Sequence, residues 1–190
     1  MSDLALTFDD GPDEPVTQAL LQTLERHDAR ATFFLIAPRA AANPDLVARI
    51  LAGGHSVGLH CDVHIRHSER DADWLEADTE QALARLARLG VSPTLWRTPW
   101  GDTAPWTAQV AKRHGLRLVH WTVDTHDWRG DSATEMFTAT RRGLGPGAVV
   151  LAHDGIGPGA RRTNAAETVA YVDLVARYAA QRQMRLEALT

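Results

Sequence analysis

The sequence predicts an α/β protein built on a parallel sheet with helical crossovers. Three observations point there. Short apolar runs rich in β-branched or aromatic residues alternate with helix-period patterns along the chain. No low-complexity stretch, linker or internal repeat interrupts the alternation. The 190 residues suit one domain spanning 1–190, long enough to bury a sizeable core. The pattern fits an open sheet or a closed barrel, and in either the functional groups gather at the carboxyl ends of the strands.

Taken in order, the strand candidates are residues 4–8, 31–36, 55–59, 94–97, 117–123, 147–152 and, more weakly, 184–188. Between the first two, Val16, Leu20, Leu21 and Leu24 fall on one helical face. Asn43-Pro44 is a helix start, and Gly53 a stop after Leu46, Val47, Ile50 and Leu51. A helix over about 69–89 carries Trp74, Leu83, Leu86 and Leu89 before Gly90. Ser132 with Glu135, and Asn164 with Glu167, read as capping boxes, the second opening a helix that runs to about 181. That makes about seven βα units.

Composition narrows the function classes. The net charge is −4 with nine histidines counted neutral, so the basic footprint of a nucleic-acid binder is missing. No apolar run reaches the length of a membrane span. The single cysteine, Cys61, rules out an internal disulfide framework. The start shows no signal peptide, so a cytoplasmic location is expected for the chain as it stands, and a secreted one if a leader preceded it. The sequence sets no oligomeric state.

The strand ends hold most of the chemistry. Asp9 and Asp10 follow the first strand. His60 and His64 follow the third, in GLHCDVHIRH, and a spacing of four puts two rings on one face of a helical turn. Arg97 and Trp100 lie in RTPWG, Asp124, Asp127 and Trp128 in DTHDW, and Leu151 and His153 in LAHDG. Two imidazoles and one carboxylate suit zinc, with a fourth position left for water. A cation would also settle why two like charges stand side by side. It takes one carboxylate and leaves the other as a base beside a water acidified by coordination. His153 is a candidate general acid with Asp127 as its partner. Arg97 can clamp a carboxylate. Trp100 and Trp128 suit the core or the wall of a sugar-sized pocket.

In order, TFDDGP, HCDVH, RTPWG, DTHDW and LAH resemble the five motifs of the polysaccharide deacetylase family, carbohydrate esterase family 4, or NodB-homology domain. They span residues 7–153. The resemblance implies a distorted (β/α)7-type barrel. It implies that Asp10, His60 and His64 bind Zn2+, Co2+ or another divalent transition metal. Asp9 would be the general base and His153 the general acid, with Arg97 positioning Asp9 and Asp127 tuning His153. The Trp100 backbone N–H would stabilise the oxyanion, and Trp128 and Leu151 would receive the acetyl methyl group. The implied reaction is attack of a metal-bound water on an N-acetyl group of chitin oligomers or peptidoglycan, with acetate as product.

Two departures from the family pattern stand out. Cys61 replaces the usual Ser or Thr, whose hydroxyl would help hold the loop; a buried, inert thiol is expected. Ile65, Arg66 and His67 follow His64 in place of the usual Pro, and His67 is expected as a solvated loop residue. Arg161 and Arg162, in the glycine-rich stretch 154–163, are expected to be solvated. Other readings keep the site and change the substrate, to acetyl xylan or to small amides and cyclic ureides. A further one makes the protein a carbohydrate binder without catalysis.

Overall fold

The computed structural model describes residues 3–190. The strands are β1 (Asp3–Asp9), β2 (Ala31–Ile36), β3 (Ser56–Cys61), β4 (Leu95–Trp96), β5 (Arg117–Leu118), β6 (Val123–Asp124), β7 (Val149–His153) and β8 (Arg185–Leu186). The helices are α1 (Val16–Arg26), α2 (Ala37–Ala42), α3 (Pro44–Ala52), α4 (Ala72–Ala87), α5 (Thr107–Arg113), α6 (Ala133–Thr140) and α7 (Ala166–Gln181). The strands form one parallel sheet in the order β5-β4-β3-β2-β1-β7-β6, with β8 added against the start of β1. The sheet curls into a half-barrel with helices outside, the α/β fold expected.

Strand alternation sorts side chains between two cores. Leu4, Leu6 and Phe8 of β1 point outward, are fully buried, and pack with Leu20 and Leu24 of α1 and with Tyr171 and Val172 of α7. The residues between them point into the barrel. There Thr7 and Asp9 meet Arg97, whose guanidinium lies 4.3 Å over the Phe34 ring. Phe34, Leu95 and Val119 form a second small cluster, with Leu189 packed against it. A barrel this narrow is filled by side chains and is not a pore.

Segment 117–123 is not one strand. Its first part pairs with β4 and its last part with β7, at opposite edges of the sheet. The chain must leave one edge to reach the other, so the strand breaks over 119–122. Among the described residues no ladder joins β5 to β6. Arg97 lines this seam, with Nε and Nη2 each 3.4 Å from the carbonyls of Val119 and His120. His153 is brought beside β1 by direct β7–β1 pairing, with Asp9 opposite His153 in register.

The Ser132–Glu135 capping box is present in full at the start of α6. The expected box at Asn164–Glu167 does not form. Asn164 accepts from the Ala166 amide (3.0 Å), while Glu167 reaches across to cap the Ala133 amide of α6 (2.8 Å). Helices α2 and α5 leave no helical period in the sequence. Both are short and bury mainly alanines, threonine and one valine, so they lack a stripe of large apolar residues.

Candidate active site

The adjacent carboxylates share one side because the backbone breaks the strand rule. Asp9 faces the barrel, so Asp10 would face outward if β1 continued. Asp10 instead adopts a left-handed conformation (φ 74°), and both acids line the same cleft. The loop after β7 packs directly on this turn. A Cβ at Gly157 would lie 2.1 Å from Asp10 Oδ2, so only glycine fits there.

Asp10 meets both expected histidines. Its Oδ1 lies 3.4 Å from His60 Nε2 and 3.2 Å from His64 Nε2. One ligand atom from each of the three residues lies within 4.8 Å of the others. The spacing of four works through a strand end and a bend, not through a helical face. The His60 Nδ1 atom bonds the Arg97 carbonyl at 2.7 Å, which fixes the ring with Nε2 toward Asp10. Asp10 Oδ1 is buried without a hydrogen-bond partner. Burial pushes the Asp10 carboxyl up, but the two imidazoles outweigh it and hold the group well below the usual carboxylate range. A buried acceptor with two converging ring nitrogens fits a divalent cation.

Cys61 is buried beside this group and takes no part in it. Burial, then the charges of Asp78, Asp10 and Asp62, push its thiol well above 9. His67 is not solvated. It is buried against Trp96 with its Nδ1 at 3.2 Å from Thr107 Oγ1, and burial lowers its pKa to about 4. Glu76, Glu80 and His114 form another His–carboxylate cluster, but Arg113 and His114 already pair with Glu76.

Arg97 is fully buried and donates from Nη1 to Asp9 Oδ1 (3.0 Å) and Thr7 Oγ1 (2.7 Å). On the strand neighbouring β1, His153 Nδ1 bonds Asp127 Oδ1 at 2.7 Å. Burial works against a charged His153, yet Asp127 above all, then Asp10 and Asp9, raise its pKa to about 9. Asp127 is pulled down to about 2 against its own burial, by His153 first and by Arg162 and Thr168 after it. Trp100 sits in a tight turn over Pro99–Gly101 with φ 55°, a costly conformation for a bulky residue. The residue is 41% exposed, and its indole packs edge-on against His64, with ring centroids 4.2 Å apart. Trp128 and Leu151 line the same cleft of about 370 Å³.

All the residues read from the motifs therefore meet in one place. Three others belong with them. Trp121 walls the cleft at the barrel seam. Arg162 is inward and nearly buried, contrary to the solvated pair expected, and its Nη1 donates to Asp127 Oδ2 (2.7 Å) and Thr168 Oγ1 (2.6 Å). Thr168 also donates to Asp127 Oδ2 at 2.7 Å. Arg161 is exposed, as expected. Arg162 gave no sign in the sequence because its partners lie 35 and 6 residues away, and a glycine-rich loop carries no period.

Comparison with known proteins decides the family. The model of the polysaccharide deacetylase family matches residues 2–119. This chain belongs to the polysaccharide deacetylase family. It is 38% identical over 154 residues to a peptidoglycan-N-acetylglucosamine deacetylase of Listeria monocytogenes, covering 80% of this chain and 32% of the relative. It is 36% identical over 163 residues to a chitooligosaccharide deacetylase of Bradyrhizobium, covering 83% of this chain and 73% of the relative. The chain thus spans about a third of the Listeria relative. A family 4 carbohydrate esterase of Streptomyces lividans, solved with acetate, superposes with a TM-score of 0.89 at 30% identity, covering 100% of this chain and 93% of that one. Among the described residues no helix is long and apolar enough to cross a membrane.

Proposed function

We propose that this polysaccharide deacetylase domain removes N-acetyl groups from amino-sugar glycans, with Asp10, His60 and His64 holding a zinc or cobalt ion. The observation that carries the reading is the pairing of Asp9 with His153 on adjacent strands, in the same cleft as a ligand-ready triad. A divalent cation in such a set supplies Lewis acidity, lowering the pKa of water and polarising an acyl oxygen. Arg97 holds one oxygen of Asp9, and the carboxylate takes the proton of the attacking water. The hydroxyl so released bonds to the carbonyl carbon. The Trp100 backbone N–H donates to the carbonyl oxygen as it gains charge, a contact worth about 3 kcal/mol in such sites. Asp127 occupies His153 Nδ1, so the Nε2 proton faces the cleft and passes to the departing nitrogen as the C–N bond breaks. Acetate and a free amine leave. Trp128 and Leu151 bound the space for the acetyl methyl group.

Acetate release should be measured with zinc or cobalt added, on chito-oligosaccharides, peptidoglycan and acetylated xylan. Release from the amino-sugar glycans, abolished by a chelator, is the expected result. Release from xylan alone would make the protein an esterase. Glycan binding without any acetate would make it a binding module.

A further inference from the structure

The two metal-site histidines are joined by a three-residue turn, Cys61-Asp62-Val63, whose own side chain at 61 cannot hold it. Among the described residues the Cys61 thiol makes no hydrogen bond, and Val63 is 49% exposed. The turn is gripped from outside. Asp78 of α4 accepts from two successive amides, Asp62 N–H at Oδ2 (3.1 Å) and Val63 N–H at Oδ1 (2.8 Å). Gln81 and Arg85 of the same helix each donate to the buried Asp62 carboxylate at 2.8 Å. Positions 78, 81 and 85 lie along one helical stripe, next to the stripe of Leu75, Ala82 and Leu86 that anchors α4 in the core. One helix face therefore sets the path of the chain between His60 and His64.

We propose that Asp78 is a positioning residue that pre-forms the His60–His64 turn for metal capture. This rests on the reading of Asp10, His60 and His64 as the metal site. With both amides tied to one carboxylate, His64 is delivered to Asp10 before an ion arrives. A loop free to wander would lose that ordering entropy on capture. Outer contacts of this kind commonly change metal affinity about 10–100-fold. The Asp78 grip does the work that a hydroxyl at position 61 would otherwise share.

The test titrates metal-free protein with Co2+, following its absorption bands, and then times loss of the ion to a chelator. Asp78→Ala removes both acceptors. Asp78→Asn keeps the shape and one acceptor, but sets an amide N–H against the second backbone N–H. Both should bind Co2+ about 10–100-fold more weakly, release it faster and show shifted bands, at unchanged far-UV circular dichroism. If the alanine variant does not fold, the asparagine variant decides. Wild-type affinity, release rate and spectrum in a folded variant would overturn the proposal. His60→Ala is the control for the site itself. Wild-type protein that takes no Co2+, or His60→Ala that binds it undiminished, would sink the metal reading and this proposal together.

Discussion

Replacing Asp127 by Asn tests the acid half of the site. The amide keeps the size of the carboxylate and removes the charge that dominates His153. With Asp127 in place the His153 pKa is about 9, against 6.5 for an ordinary histidine. In the proposed mechanism His153 acts in its protonated form, so turnover should hold at neutral pH and fall as pH rises through that value. Without the Asp127 charge, burial pulls the ring down against Asp9 and Asp10 alone, so its pKa falls from about 9. At pH 8 about nine-tenths of His153 is protonated in the wild type, and each unit by which the variant's pKa falls below 8 costs about tenfold in the protonated fraction. The same shift links to stability. The folded-state pKa is raised, so its contribution is full below pH 6.5 and lost as pH rises through about 9. Its size is about 3 kcal/mol in the wild type, and it should be largely missing in the variant. NMR titration of the His153 ring in both proteins reads the pKa directly, and the alkaline limb of kcat/KM reads its use. A His153 midpoint or an alkaline limb that does not move with the substitution would refute the assignment of acid and partner.

Other expectations follow from the same geometry. Asp9→Asn should lower acetate release about 10²–10⁴-fold while equilibrium dialysis still finds the metal bound. Gly157→Ala places a methyl group where Asp10 Oδ2 now lies, 2.1 Å away, and should weaken Co2+ binding in a titration without unfolding the chain. Arg162→Gln breaks a buried ion pair with Asp127, whose partners are 6% and 1% exposed, and should cost about 3 kcal/mol in urea unfolding at pH 7.

The sequence carried the strand ends well and the backbone detail poorly. Strand β2 spans the residues read from ATFFLI, because a short apolar run between helical patterns has few other fates. The strand-end rule collected Asp9, His60, Arg97, Asp127 and His153 without their partners in view, and the fold brings them together because a parallel sheet aligns its carboxyl ends. Asp10 was placed in the site by its motif, but the left-handed turn that aims it there beside Asp9 leaves no periodic trace in the sequence. Residues 117–123 read as one strand because periodicity cannot show that its two parts pair with different edges. Arg162 and His67 read as solvated in the sequence for a shared reason. Their burial depends on partners distant in the chain, Asp127 and Trp96, which composition near each residue does not reveal. Asp78 is one of four acids on α4, and nothing in the sequence marks it out from Asp73, Glu76 and Glu80.

The central claim is that one aspartate and two histidines hold a cation while the neighbouring aspartate stays free. Crystals grown with zinc, measured on both sides of the zinc absorption edge, test it most directly. The account predicts one anomalous peak in contact with Asp10, His60 and His64, and Asp9 still bonded to Arg97 without touching the ion. A peak ligated by Asp9, or none within reach of the three side chains, would contradict it.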